Sequence, residues 1–141
     1  MTVWYLDTSA ALKLILAEAE SAALIEALDQ AKPELASSYL LETEVRRAAH
    51  RSPDFGQAEA TSLLDRVVLH EAPPAVFAQA GLLTGATLRS LDAIHLATAI
   101  NIEASQIVSY DRRLASAARE LGLAAAAPGQ APSQAPPGQT R

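Results

Sequence analysis

Three acidic residues lie at positions of the sequence where catalytic groups are often found. Asp7 directly follows an apolar segment rich in β-branched and aromatic residues, residues 2–6. Asp111 directly follows a second apolar segment, residues 106–110, and Asp92 lies near the start of a third. Carboxylates that folding brings together repel one another, and a hard cation such as Mg²⁺ or Mn²⁺ would neutralise that charge.

Taken singly, two of these acids have an ordinary structural interpretation. Asp92 comes two residues after Ser90, in the first turn of a predicted helix, and Asp111 opens another helix. Aspartate is common at both places because it accepts hydrogen bonds from the free backbone N–H groups and complements the helix dipole. Asp7 is less ordinary, because an aspartate that ends an apolar strand is a frequent catalytic placement in α/β folds.

A fourth acid lies inside a helix and not at its end. Glu44 falls within the predicted helix of residues 39–51, where pairing with Arg47 or Arg51 would stabilise it by a few tenths of a kcal/mol. Glu42 is an equal candidate by composition, so residue type alone leaves the choice between the two glutamates open.

One histidine shares a helix face with one of the acids. Residues 91–103 are apolar around almost the whole helix, which predicts a largely buried helix. Asp92 and His95 are three residues apart and therefore lie on the same face. Buried polar groups need partners, so we expect His95 to hydrogen-bond to Asp92 or to a backbone carbonyl.

Strands and helices are predicted to alternate along the chain. The predicted strands are residues 2–6, 34–37, 67–70, 106–110 and 123–127, and the predicted helices are residues 8–17, 20–31, 39–51, 56–66, 75–83, 91–103 and 111–121. Alternation of this kind favours an α/β fold, a three-layer α/β/α sandwich around a central, mainly parallel sheet of four to five strands. Sites in such sheets form at the carboxyl ends of strands, where Asp7 and Asp111 are predicted to lie.

Length and composition bound the interpretation further. The chain of 141 residues predicts one domain over residues 1–127, followed by a disordered tail rich in Pro, Gln and Ala at residues 128–141. It has no cysteine, no predicted membrane span and no signal peptide, which fits a cytoplasmic protein. The net charge of −5 argues against charge-driven, non-specific binding to nucleic acid.

Four segments together resemble a known family. They are YLDTSAALKL at residues 5–14, TEVRRA at 43–48, LDAIHLATA at 91–99 and SYDRRLASAARELG at 109–122. In this order and spacing they resemble the PIN domain, and more closely the VapC-type toxin ribonucleases of bacterial toxin–antitoxin pairs. The resemblance covers residues 1 to about 128. Each segment alone is weak, whereas the four in consistent order are specific.

The resemblance implies a particular set of site residues. The acidic positions of the family fall on Asp7, on Glu44 in preference to Glu42, on Asp92 and on Asp111, as catalytic residues and metal ligands. Nearby hydroxyl groups and arginines are implied or suggested as substrate contacts: Thr8, Ser109, Arg89 and Arg112. The remaining arginines beside the acids are expected to solvate helix faces or pair with carboxylates.

The resemblance also implies an activity and partners. The expected reaction is hydrolysis of RNA phosphodiester bonds by a water that Mg²⁺ or Mn²⁺ activates. The expected partners are an RNA substrate, a small antitoxin that blocks the site, and a second copy of this chain in a homodimer.

Other functions remain open from the sequence. A phosphatase of the haloacid-dehalogenase type needs a second aspartate two residues after the first, where this chain has Ser9, and a phosphoreceiver domain needs a late lysine, whereas the chain has only Lys13 and Lys32. A housekeeping PIN-domain RNA-processing nuclease and a non-catalytic PIN-like binding module are the alternatives that keep the predicted fold.

Overall fold

The computed structural model describes residues 2–85 and 87–132. Strands and helices alternate in the order β1 (Val3–Leu6), α1 (Thr8–Lys13), α2 (Ser21–Ala31), β2 (Glu34–Ser38), α3 (Tyr39–Arg51), α4 (Gln57–Leu64), β3 (Val68–His70), α5 (Pro74–Leu82), α6 (Ser90–Asn101), β4 (Gln106–Val108), α7 (Arg112–Glu120) and β5 (Ala124–Ala126). None of the helices in these ranges combines the length and the apolar character needed to cross a bilayer.

The strands form a single sheet in the order β3-β2-β1-β4-β5. Every neighbouring pair is parallel. The chain first builds the sheet outward from β1 to β3 and then continues on the other side of β1 with β4. This reversal makes the boundary between β1 and β4 the switch point, where a crevice opens at the carboxyl ends of the strands. The predicted α/β sandwich around a parallel sheet is confirmed.

Apolar side chains cover the two faces of this sheet. Successive residues of a strand point to opposite faces, so Tyr5 and Leu6 belong to different apolar clusters. Tyr5 packs in the cluster that contains Leu96 of α6 and Leu114 of α7, whereas Leu6 belongs to the cluster that contains Leu41 of α3. Helices from both faces therefore meet the sheet close to the switch point.

The largest boundary error is at the end of α1, which stops at Lys13 and does not continue to residue 17. Ser21 explains the early stop. Its hydroxyl donates to the carbonyl of Leu16 at 2.7 Å and accepts from the N–H of Glu18 at 3.0 Å. These local bonds offer the backbone an alternative to further helix and turn the chain into α2.

Residues 128–132, predicted to open the disordered tail, lie against the domain. The Tyr110 hydroxyl donates to the carbonyl of Pro128 at 2.8 Å, and the Gln130 side chain donates to the carbonyl of Tyr110 at 2.9 Å. These contacts lie beyond the boundary that we predicted after residue 127, and the division into a domain and a disordered tail stays a prediction. The prediction of disorder for residues 133–141 lies outside the described residues.

Candidate active site

Asp7 is held in one orientation by protein donors at the switch point. It directly follows β1 and caps α1, with Oδ1 accepting from the Ala10 N–H at 3.0 Å and from Ser9 Oγ at 2.7 Å. Its Oδ2 accepts from Ser109 Oγ at 2.5 Å. The carboxylate is only 3% exposed. Burial raises the pKa of Asp7, and hydrogen bonds from Ser109, Ser9 and Ala10 offset part of that rise.

Ser109 links Asp7 to Asp111 across the ends of β1 and β4. Its hydroxyl donates to Asp7 and accepts from the N–H of Asp111 at 3.1 Å. Asp111 in turn caps α7, where Oδ1 accepts from the N–H groups of Arg113 and Leu114 at 2.9 and 3.3 Å. Ser109 is fully buried. Ser109 therefore orients the carboxylate of Asp7 and holds the backbone of Asp111, and it does not face the solvent from which a substrate would approach.

The structure separates the two glutamates of α3 that composition left equal. Glu44 Oε1 accepts from Thr8 Oγ1 at 2.5 Å and lies 2.6 Å from His95 Nε2, so it faces the crevice. Glu42 instead pairs with Arg46 of the same helix at 3.2 Å, with both side chains partly exposed. Burial raises the pKa of Glu44, but hydrogen bonds from His95 and Thr8 outweigh it and leave the pKa below its ordinary value.

Asp92 of α6 lies within electrostatic range of the other three acids. Burial raises its pKa, and repulsion by Asp111 and Asp7 raises it further, with a smaller contribution from Glu44. The fold therefore gathers into one crevice four carboxylates that are separated by up to about a hundred residues in sequence, and their negative charge is not fully compensated there.

His95 does not make the contacts that we predicted. Its Nε2 faces Glu44 and its Nδ1 lies 2.6 Å from the Tyr5 hydroxyl, so neither Asp92 nor a backbone carbonyl is its partner. Although α6 places His95 near Asp92, the ring is 1% exposed and points toward the sheet. The sequence pattern predicted Tyr5 only as part of an apolar strand. A buried tyrosine hydroxyl needs a hydrogen-bond partner, so the residue type could have indicated that Tyr5 bonds to a polar side chain.

Of the other residues predicted to bind substrate, Thr8 contacts one of the acids and the two arginines are exposed. The Thr8 hydroxyl donates a hydrogen bond to Glu44. Arg89 stands directly before α6 and is exposed. Arg112 is exposed as well, and its guanidinium donates to the carbonyl of Ala131. Arg113, one of the arginines expected to solvate a helix face or pair with a carboxylate, lies 3.9 Å from Asp111.

The donor set fits a hard divalent cation. All four acids offer carboxylate oxygen, and the repulsion felt by Asp92 shows excess negative charge that a cation would relieve. As placed, no three His, Asp or Glu side chains within residues 2–85 and 87–132 come together as a ready coordination shell. Mg²⁺ is commonly bound by only one or two carboxylates and keeps several waters, so this spacing is compatible with it.

The fold and the crevice together define an α/β domain with an acidic site at the switch point of a parallel sheet. Residues 4–120 match the PIN domain family. The chain is 42% identical to Ribonuclease VapC35 of Mycobacterium tuberculosis over 133 residues, which cover 90% of this chain and 98% of that protein. It is 38% identical to Ribonuclease VapC46 of the same organism over 130 residues, covering 91% and 99%. The chain therefore belongs to the PIN-domain family, in its VapC-type branch, as the resemblance predicted.

Solved structures agree on the fold. The Mycobacterium tuberculosis VapC20 structure, described as a sarcin-ricin loop cleaving toxin, superposes with a TM-score of 0.67 at 17% identity, covering 81% of this chain and 94% of that one. VapBC2 from Rickettsia felis, solved with a DNA fragment from the promoter of its genes, gives 0.65 at 17% identity, covering 89% and 98%.

Proposed function

We propose that this protein is an endoribonuclease, the toxin of a type II toxin–antitoxin pair, which hydrolyses RNA with a divalent cation held by Asp7, Glu44, Asp92 and Asp111. The relatives that are 38–42% identical over nearly their whole lengths are named Ribonuclease VapC. The observation that carries the proposal is the gathering of these four carboxylates, whose mutual repulsion raises the pKa of Asp92.

The chain's own residues prepare this site for chemistry. Bound Mg²⁺ or Mn²⁺ would activate a water and neutralise charge that develops on the phosphate. Asp7, together with Asp92 or Asp111, would hold the ion directly, and Glu44 would ligate it or orient a water. Asp7 is pre-oriented by Ser9 and Ser109, so little conformational freedom is lost when it binds.

Positive charge on the rim suits the phosphates of a substrate. Arg89 and Arg112 are exposed and lie close in sequence to Asp92 and Asp111, and guanidinium groups bind phosphate oxygens in a planar, two-pronged way. We expect Arg112→Ala to weaken RNA binding by a few-fold with a smaller effect on the cleavage step. Unchanged affinity in a substrate-binding assay would remove Arg112 from the contact set.

Cleavage of RNA with and without cation tests the proposed activity. We expect cleavage with Mg²⁺ or Mn²⁺, loss of cleavage with EDTA, and recovery when the cation is restored. Glu44→Gln is expected to reduce the rate on the order of 100-fold or more. Glu42→Gln is the matched control, because it removes a carboxylate from the same helix outside the crevice. Equal losses in the two variants would refute the assignment of Glu44.

A groove beside α4 is a candidate surface for the antitoxin. It has a volume of about 400 Å³ and is lined by Leu14, Ile15 and Leu63, with Arg66 at its edge. An apolar floor with a charged edge suits an amphipathic segment. Ala58→Glu, at an exposed position of the groove, is expected to weaken a co-expressed antitoxin's binding, whereas Ala124→Glu, exposed on β5 at the other edge of the sheet, should not.

Co-expression separates the toxin from the other PIN-type functions. Expression of this chain alone is expected to arrest growth, and co-expression of a short antitoxin encoded beside its gene is expected to relieve the arrest. A housekeeping nuclease would cleave RNA without arresting growth. A non-catalytic binding module would fail to cleave RNA at all. Since the substrate is cellular RNA, the expected place of action is the cytoplasm.

Exposed apolar side chains on α5 and α6 support a homodimer. Phe77 is 54% exposed and Leu82 is 83% exposed, and Leu91 and Ile100 add to the same pair of helices. Large apolar residues grouped on a surface often mark a protein–protein contact. We expect a dimer by light scattering of the purified protein and a monomer after Leu82→Lys. A wild-type monomer would contradict the dimer.

A further inference from the structure

We infer that His95 and Tyr5 are positioning residues that fix Glu44 for the reaction through a buried chain of hydrogen bonds. The Tyr5 hydroxyl lies 2.6 Å from His95 Nδ1, and His95 Nε2 lies 2.6 Å from Glu44 Oε1. Thr8 Oγ1 reaches the same glutamate oxygen at 2.5 Å. This inference rests on the proposed role of Glu44 in the ribonuclease site.

The chain of hydrogen bonds joins four separate elements of the fold. Tyr5 belongs to β1, His95 to α6 and Glu44 to α3, and Thr8 begins α1. Tyr5 is 0% exposed and His95 is 1% exposed. Both side chains are buried away from the crevice, so their effect on cleavage is indirect, and Glu44 is the acid of the site that His95 contacts.

The direction of the hydrogen bonds is part of the inference. Burial raises the pKa of Tyr5 to about 12, against weaker lowering by Ser38 and Ser37, so its hydroxyl keeps its proton and is able to donate. We assign that O–H as the donor to His95 Nδ1, which places the ring hydrogen on Nε2, where it donates to Glu44. The two rings also meet edge to face, 5.6 Å apart, which fixes the tilt of the imidazole.

As a result, both hydrogen bonds to the Glu44 carboxylate are made to the same oxygen. Oε1 accepts from both Thr8 and His95, whereas Oε2 accepts no hydrogen bond from the described part of the chain. Without the two donors, the glutamate side chain could rotate about three bonds on a half-exposed helix face. With them, Oε2 keeps a constant position relative to Asp7 and Asp92. Groups that orient a ligating residue in this way typically contribute 10- to 100-fold to activity.

Two substitutions of His95 separate its two contacts. In His95→Asn the amide lies near the place of Nδ1, so a partner for Tyr5 remains but Glu44 is out of reach. In His95→Gln the amide nitrogen lies near the place of Nε2 and can still donate to Glu44. We expect His95→Asn to lower kcat on the order of 10- to 100-fold with KM for RNA unchanged, and His95→Gln to lower it much less. Equal losses in the two variants would overturn the inference.

A double-mutant cycle tests whether His95 acts through Glu44. In the Glu44→Gln background, adding His95→Asn is expected to cause no further loss in single-turnover cleavage, because the group that His95 positions is already changed. In the Glu42→Gln background the full loss is expected to persist. Losses that multiply in the Glu44→Gln background would show that His95 supports the fold and not the glutamate.

The histidine tautomer gives a readout that needs no activity. Nitrogen-15 spectra of the wild-type protein are expected to show the hydrogen on Nε2, and Tyr5→Phe is expected to produce a mixture of tautomers in a protein that still folds by circular dichroism. A hydrogen on Nδ1 in the wild type would overturn the inference. Wild-type protein that cleaves no RNA with either cation would overturn the proposed function itself, so the two failures are distinguishable.

Discussion

Among the four acids, Asp92 is the one whose pKa is raised by the charges of the other three. It is half-buried, and it faces repulsion from Asp111 and Asp7, with a smaller contribution from Glu44. Repulsion of this kind costs stability in the folded protein, because the same carboxylate in the unfolded chain is surrounded by water. Negative charge that is useful for binding a cation is therefore retained at some cost to folding.

Asp92→Asn is expected to raise the melting temperature near neutral pH. The raised pKa means that the folded protein binds a proton at Asp92 more tightly than the unfolded chain does, so wild-type stability falls as the pH rises through that pKa. The gain should stay below about 1 kcal/mol, because water screens a half-exposed group. It should shrink as the pH falls toward the ordinary aspartate range, where wild-type Asp92 is neutral as well.

Thermal unfolding followed by the fluorescence of Trp4, the single tryptophan, measures this effect from about pH 8 to about pH 4. A gain that is the same at every pH would contradict the repulsion. Mg²⁺ should also raise the melting temperature of the wild type more than that of Asp92→Asn, since the asparagine variant lacks one of the proposed ligands.

Asp7→Asn is expected to abolish cleavage while the protein stays folded. Asparagine retains an oxygen that can cap α1 and accept from Ala10, but it removes the charge that a cation requires. We expect a rate at least about 100-fold lower in a cleavage assay and a native circular dichroism spectrum. Full activity of this variant would exclude Asp7 from the site.

At the scale of elements, the N-terminus of α7 depends on a site residue for its own structure. Asp111 accepts from two backbone N–H groups of α7 and also contributes charge to the crevice. Structural and functional roles therefore coincide in one side chain. The same holds for Asp7 at the start of α1. Asp7 and Asp111 each follow a strand and cap the next helix, so the hydrogen bonds of the cap orient these two carboxylates of the site.

Two substitutions of Asp111 separate these roles. Asp111→Ala removes the cap and the charge, and it should cost about 1 kcal/mol of stability together with the activity. Asp111→Asn keeps a good capping side chain, so stability should change little while cleavage is still lost. Denaturant unfolding and cleavage assays on both variants check this. A large loss of stability in the asparagine variant would contradict the capping role.

At the scale of the whole molecule, residues 128–132 close the domain against α2. Gly129 has a φ of +82°, and a Cβ atom placed there would lie 2.8 Å from the Cβ of Ala23. Only glycine adopts this backbone conformation and allows this close approach without strain. The hydrogen bonds of Tyr110 with Pro128 and Gln130 hold the segment on its other side.

Gly129→Ala is expected to detach this segment and to destabilise the protein by about 1 kcal/mol. Gly81→Ala is the matched control, because it lies in helix α5 with no atom within 4 Å of the added methyl group. That change should be neutral or stabilising by up to about 1 kcal/mol. Hydrogen exchange of residues 128–132 and thermal unfolding measure the difference. Unchanged protection in Gly129→Ala would show that the segment is not held by this contact.

The sequence by itself determined the order of strands and helices, the parallel α/β fold and the strand-end placement of Asp7 and Asp111. These features follow from periodicity and from capping residues, which act over a few neighbouring positions. Only the tertiary structure decided that Tyr5 and Glu44 are the partners of His95, that Glu42 faces away, and that residues 128–132 return to the domain. Each of these depends on contacts between residues far apart in sequence, and such contacts are set by the order of strands in the sheet.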